Sequence, residues 1–514
     1  MTRKATYLCF LFLVTFLVAA RTVSATSALP IADSALADQA AVIAEGTIIR
    51  RGPSSVTDRP ATEYRLRVER LVKGPAEGGI PGGTLVVRVP GGATANGLKL
   101  KVWGAPELRI GERALLFLTA NGDGTYGPLH LALGTFHELR SGSRRLAVRD
   151  LSEIHQVGQV GQVGQETAED GVRDLDRFAR WLADRVAGTE RVADYLVDRA
   201  PVRQSLGDFN YLNDGVKEIK QRWPNFDRGQ DVVWRAHMTG HPGFPGGGFA
   251  ELQAAFAAWN ADPSTNVRYR YDGVSSATRG FRGHDGQNVV LFDDFNSEVP
   301  GDFKCVSPGN GSGVLAIGGT WYDDSTTPAT IGGADIVLNN GTGCWFTSSQ
   351  RLVQIFGHEL GHTLGLGHSC GDKMTGSCNT KDKDNALMRA FAHADNRGAT
   401  LQKDDRFGIY SLYPDPNGVP PADDLGAPGS LTGVGVSPTS IQLSWKDNST
   451  IETQFIVQMK KNGKFKPVKT VKANVTAVTI TGLARGKSYT FRVLAKAKKD
   501  TSGASNEATV KTLN

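Results

Sequence analysis

The residues best placed to do chemistry lie close together in Gln354–Ser369, QIFGHELGHTLGLGHS. His358 and His362 stand four apart, so on a helix both imidazoles project from one face and can grip one ion. Glu359 follows the first of them, where its carboxylate can reach a water activated by that ion. Gly365 can leave the helix with positive φ, turning the chain so that His368 comes round as a third ligand. Three neutral imidazoles leave zinc one open position, the pattern of a catalytic rather than a structural site. A lone histidine is normally a hydrogen-bonded or solvated ring. Here His, Glu, His, Gly and His match jointly, which outweighs that bland reading.

Such a cluster needs a rigid helix and a core to hold it. Ser348 or Ser349 can cap the helix, and Val353, Phe356, Leu360 and Leu364 are spaced to bury its other side. From about 205 to 416 the chain reads as mixed α and β. Val232–Arg235, Tyr269 with Tyr271, Val289–Phe292 and Gly332–Asn339 read as strands. Phe249–Asn260 carries Leu252, Phe256 and Trp259 on one helical face. Strands and helices do not alternate regularly, which argues against a doubly wound sheet.

The motif HExxHxxGxxH resembles that of the metzincin metallopeptidases, and Ser369 after it points to the matrixin branch. Ala386-Leu387-Met388-Arg389 resembles the family's Met-turn, Leu401–Tyr413 its closing helix, and the helix ending in Ala258-Trp259-Asn260 its first helix. The resemblance implies an α+β domain with a twisted, mostly parallel sheet and an active-site helix. It further implies one catalytic zinc on His358, His362 and His368, with Glu359 as general base and acid and Met388 beneath the metal. By itself Met388 reads as an ordinary core residue. A substrate peptide would lie along an edge strand near Gly313–Thr320, with a side-chain pocket formed between His368 and Tyr410. Calcium is a candidate structural ion at Asp302, Asp323, Asp324 and Asp335, although turn formation is the commoner role of such aspartates. Two departures stand out. No cysteine lies between Thr26 and Lys304 to block the zinc, and no histidine set for a second zinc is found, His284-Asp285 reading as a loop.

The 514 residues exceed one core and imply several domains. Residues 1–25 read as a signal peptide: Arg3 and Lys4, an apolar run from Tyr7 to Ala20 too short to span a bilayer, then Val23-Ser24-Ala25. Residues 26–150 read as an all-β domain, a pro-domain, chaperone or accessory module, with His137-Glu138 a surface pair. Residues 151–204 read as a linker with a VGQ repeat and an amphipathic helix that packs on a neighbour. The peptidase-like domain covers 205–416, a Pro/Gly/Asp linker 417–428, and a β-sandwich 429–514. In the last, Trp445, Leu483, Gly486 and Tyr489 resemble the core tryptophan and tyrosine corner of a fibronectin type III domain. Without Cys9 in the signal, Cys305, Cys344, Cys370 and Cys378 form an even set. The simplest pairing is Cys305–Cys344 and Cys370–Cys378, though spacing alone proves none.

Hydrophobic residues at 40% and charged at 21% exclude wholesale disorder, and a net charge of +6 gives no reason to expect nucleic-acid binding. That charge is unevenly spread. From Gly426 onward 14 Lys and Arg face 4 Asp and Glu, with Lys460, Lys461, Lys464 and Lys466 together. A basic face of this kind could meet acidic polysaccharide or a cell surface, or simply be solvated. The expected function is a secreted zinc endopeptidase acting on proteins or peptides, with no membrane span once the signal is removed. The rival is a secreted adhesin with an inert metal site, and a weaker third reading is hydrolysis of a non-peptide amide.

Overall fold

The structure is a computed structural model. It describes residues 26–514 apart from 55–59, 75–82, 95–96, 158–170, 190–191, 198–219, 372–377, 379–380, 394, 419–424, 450–451 and 498–499. The expected signal peptide and most of the VGQ repeat lie outside the described residues.

The central sheet runs, in spatial order, His155–Gln156, Thr26–Leu29, Asn310–Asp323, Ala329–Leu338, Asn288–Leu291, Val232–His237 and Tyr269–Ser275. The last four strands pair in parallel, whereas Asn310–Asp323 runs antiparallel to Ala329–Leu338. Val314–Trp321 is buried on both faces, because both faces of the sheet are covered. Along Asn288–Leu291 and at residues 336–338 side chains alternate between two cores, as the two-residue repeat of a strand requires. Leu315, Ala316, Ile336 and Leu338 pack with Trp259 of helix Phe249–Asn260 and with Leu352, Phe356 and Leu360 of helix Ser349–Thr363. On the opposite face Val289, Leu291, Val314, Ile317, Trp321 and Val337 pack with Leu115, Phe117, Phe136 and Phe178 of the N-terminal region.

That shared core alters the expected organisation. In the N-terminal region, strands Val42–Pro53, Ala61–Lys73, Thr84–Pro90, Tyr126–Pro128 and Arg113–Ala120 pair in a closed ring around Val42, Ala44, Tyr64, Leu66, Val87 and Leu116. The region is not all β, however. Helix Asp33–Gln39 buries Leu36 and Ala37, and Leu175–Val186, the amphipathic helix expected to pack on a neighbour, places Phe178, Trp181 and Leu182 in the same core. Strands Thr26–Leu29, Gly92–Ala93, Lys99–Val102 and His155–Gln156 join the neighbouring sheet instead. The physical reason is the unpaired edge that Asn310–Asp323 would otherwise present, which short segments with one apolar face can satisfy. His137-Glu138 is also no surface pair: His137 is buried, and Glu138 accepts from Arg113 Nε at 2.7 Å and Arg145 Nη2 at 2.8 Å.

Residues 429–511 form two sheets around Leu431, Trp445, Phe455, Val457, Phe491 and Val493. The Tyr489 hydroxyl accepts from Ala484 N at 2.7 Å, tying the loop to the strand as a tyrosine corner does. Lys464, Lys466, Lys469 and Lys472 lie exposed along the sheet-edge strand Lys464–Lys472, an arrangement that discourages edge-to-edge pairing. No helix among the described residues is long and apolar enough to cross a membrane.

Candidate metal centre

Helix Ser349–Thr363 starts at Ser348, whose side chain accepts from Arg351 N at 3.4 Å. It is buried from Leu352 to Thr363, so its small residues are places where neighbours come close. A Cβ on Gly361 would lie 2.3 Å from Met388 Sδ and 2.6 Å from Trp259 Cζ2. Gly365 has φ 92° and a Cβ there would lie 2.2 Å from Gln221 O, so the turn requires glycine twice over.

Among the described residues one group of histidine, cysteine and carboxylate side chains gathers as a metal site would: His358, His362 and His368, with ligand atoms within 4.8 Å of one another. His358 Nδ1 donates to Leu387 O at 2.9 Å and His362 Nδ1 to Leu366 O at 2.8 Å. These bonds place the proton of each neutral ring on Nδ1 and leave both Nε2 atoms as bare acceptors. The two Nε2 atoms nevertheless face each other at 2.8 Å. With His368 they form a set of three imidazole nitrogens that fits a metal ion, and three imidazoles suit zinc. Burial, reinforced by the neighbouring imidazoles, holds His358 and His362 well below the usual histidine range, which keeps them neutral as ligands must be.

Glu359 is fully buried beside the cluster. Burial pushes its carboxyl up to about 8, with the Ser27 hydrogen bonds pulling the other way. Its Oε1 accepts from Ser27 Oγ at 2.6 Å, while Oε2 has no hydrogen-bond partner. His155 stacks on His358, ring centroids 3.6 Å apart. Neither Ser27 nor His155 is identifiable from sequence, since strand pairing alone brings them here.

Met388 is buried, and its sulfur packs against Gly361 in the helix of the histidines. Its turn is held by Asp405, whose carboxylate accepts from Met388 N at 2.9 Å, Leu387 N at 2.8 Å and Gln402 N at 2.7 Å. Asp405 forms a capping box with Gln402 at the start of helix Lys403–Leu412, a local signal that was available in the sequence. Asp405→Ala would leave three buried amides unsatisfied, at roughly 1–3 kcal/mol each before relaxation. Chemical denaturation should show a loss of about 2–4 kcal/mol. Burial raises the Asp405 pKa from 3.8 to about 7. The folded state therefore binds this proton more tightly than the unfolded chain. The contribution is full below pH 3.8 and fades as pH rises through about 7, a slope that Asp405→Asn should remove.

Disulfides join Cys305 to Cys344 and Cys370 to Cys378, the latter starting two residues after His368. The aspartates considered for calcium do not converge. Asp302 accepts from Asn340 Nδ2 at 3.4 Å and Asp323 from Ser325 N at 2.8 Å. Asp324 pairs with Lys99, and Asp335 accepts from Val289 N at 3.0 Å and Trp321 Nε1 at 3.3 Å.

A helix presenting two histidines one turn apart, a glycine turn returning a third and a carboxylate alongside make a donor set suited to a metal ion. Residues 249–414 match the family model described as matrixin, and residues 426–511 that of the fibronectin type III domain. The chain thus carries a matrixin domain, of a zinc-dependent metallopeptidase family, followed by a fibronectin type III domain. Similar solved structures include titin domains A168–A170, 25% identical, covering 17% of this chain and 32% of that one, TM-score 0.16. A second is an Fn3-like protein from Clostridium thermocellum, 24% identical, covering 18% of this chain and 97% of that one, TM-score 0.16. The match therefore spans about a third of the length of the titin chain.

Proposed function

We propose that the chain is a secreted zinc metalloendopeptidase that cleaves proteins or peptides at the centre formed by His358, His362, His368 and Glu359. The observation that carries this reading is the pair of bare Nε2 atoms facing each other at 2.8 Å with the Glu359 carboxylate beside them. Bound to the three imidazoles, zinc supplies Lewis acidity, polarising a carbonyl and lowering the pKa of water toward about 7. Glu359 takes a proton from the attacking water and returns it to the amine nitrogen that leaves. The carbonyls of Leu387 and Leu366 hold the two helical imidazoles in the required tautomer. Met388 and Asp405 fix the floor beneath them. The substrate backbone lies along Gly313–Thr320 and exchanges main-chain hydrogen bonds with it.

The two disulfides suit an oxidising, extracellular setting. Residues 26 to about 197 form an accessory module, residues 220–416 the peptidase domain and 429–514 a module that places the enzyme on a partner surface. The test is cleavage of a denatured protein mixture, with the new termini sequenced. Cuts should appear with zinc and fall to background with 1,10-phenanthroline, returning when zinc is restored. Cleavage indifferent to the chelator would exclude the reading.

A further inference from the structure

A cavity of about 480 Å³ opens where the N-terminal module meets the matrixin domain, and none of its lining residues belongs to the metal centre. Its walls come from both sides. Gln39, the last residue of helix Asp33–Gln39, and Thr119 of strand Arg113–Ala120 line it from the module. Arg282, Ser297, Asp302 and Lys304 line it from the matrixin domain, Lys304 opening the strand Lys304–Ser307. The walls are fixed to their surroundings. The carbonyl of Pro300 accepts from His130 N at 2.6 Å, and that of Gly301 from Asn339 Nδ2 at 2.9 Å. Glu298 Oε2 accepts from Phe281 N at 2.9 Å, which anchors the residue before Arg282. Such walls form the cavity before any ligand enters it.

The side chains that line it are rich in donors. Arg282 Nη2 donates to Asn296 O at 3.4 Å, while Arg282 Nε is buried without a hydrogen-bond partner. Among the described residues neither Arg282 nor Lys304 has an ion-pair partner. Buried donors are almost always bonded, so an unpaired guanidinium N–H marks a place that a partner would complete. His130 fixes a third donor. It is fully buried, and its Nε2 stands 3.1 Å from Gln39 Oε1. The amide oxygen accepts, so the ring proton sits on Nε2 and the Gln39 NH2 group is left for another partner. Burial, reinforced by Lys304 with Asp302 pulling the other way, lowers the His130 pKa to about 4, so the ring is neutral. The positive charge of the cavity is therefore that of Arg282 and Lys304. Asp302 offsets part of it from an exposed position, and its carboxylate already accepts from Asn340 Nδ2 at 3.4 Å. A guanidinium can meet two oxygens of a carboxylate or phosphate at once, and an ammonium can meet another.

We propose that this cavity binds a small oxyanion, a phosphate or a dicarboxylate, which accepts from Arg282, Lys304 and Gln39 and so ties the N-terminal module to the matrixin domain. Gln39 belongs to the one and Arg282 and Lys304 to the other. The bound anion is thus a bridge, and it favours the joined arrangement by the free energy of its binding. A cation would meet like charge in this cavity, and a neutral molecule would leave both charges uncompensated. The site shares no residue with the histidine cluster, so it stands whether or not that cluster hydrolyses peptides.

The test titrates the full-length chain with inorganic phosphate and, separately, with succinate, by calorimetry and by thermal melting, at an ionic strength held constant with sodium chloride. At least one of them should bind at a single site per chain and raise Tm by about 5 °C at a hundredfold excess over Kd. Arg282→Gln and Lys304→Gln should each weaken that binding at least about tenfold, through loss of a charge-assisted hydrogen bond, and Gln39→Leu about fivefold. Binding of phosphate alone would assign the site to phosphoryl groups and binding of succinate alone to carboxylates, and either upholds it. No binding of either at millimolar concentration, or binding that all three substitutions leave unchanged, would overturn it. Should Arg282→Gln fail to fold, Lys304→Gln decides the matter, since Lys304 is exposed. Amide exchange at residues 119–121 and 297–304 should slow at least about threefold in the bound protein. Binding without slower exchange on the module side would overturn the bridge.

Discussion

Replacing Glu359 with alanine is expected to lower peptide hydrolysis by about 10²–10⁴-fold while leaving zinc in place, the range for a positioned general base. The separation of roles follows from the geometry. The gathered ligand atoms belong to His358, His362 and His368, and Glu359 is not among them. Its carboxylate lies buried beside them with Oε2 free of any hydrogen-bond partner. Glu359→Gln is the sharper control, since the amide keeps the shape and an acceptor for Ser27 but cannot take the proton. Both variants should be compared with the unaltered chain by kcat/KM and zinc content together. Undiminished hydrolysis by a zinc-loaded Glu359→Gln protein would remove Glu359 from the proton's path.

His362→Ala should act on the other quantity. Loss of even an outer-shell partner costs about 10–100-fold in metal affinity, so loss of a ligand itself should cost at least about 100-fold. In the unaltered chain, zinc at a thousandfold excess over Kd stabilises the folded state by about 4 kcal/mol. For a domain of this size that is on the order of 10 °C in Tm. The zinc-dependent rise should vanish in His362→Ala, while the metal-free melting temperature moves less. The close approach of the His358 and His362 Nε2 atoms, at 2.8 Å, is the reason. With one gone, only two of the three gathered imidazoles remain to hold the ion. Equal zinc retention by both proteins after dialysis would count against the assignment.

Much of the centre was legible because it is local. The spacing of His358 and His362 becomes a shared face as soon as a helix forms. Gly365 announces its own turn, and the structure gives it φ 92°. The capping box of Asp405 is equally local, but its carboxylate also holds a turn seventeen residues away, which spacing does not show. The organisation of the N-terminal region was less legible. Short strands such as Lys99–Val102 carry no periodicity that says which sheet they join, and a buried charge network such as Glu138 with Arg113 and Arg145 resembles surface charge when read one residue at a time.

Residue order alone carries three imidazoles and a carboxylate at helical and turn spacing, a methionine downstream to pack beneath them, and a separate basic sandwich at the end. These are consequences of chain-local geometry, which residue spacing specifies directly. What stands in front of those side chains comes from packing between distant segments. Ser27 reaches Glu359 across 332 positions and His155 across 128. The strand that carries Ser27 is four residues long. Pairing between distant strands is chosen by which edges remain open and which faces remain apolar once the rest has packed, and that choice leaves no mark on the spacing of the residues involved.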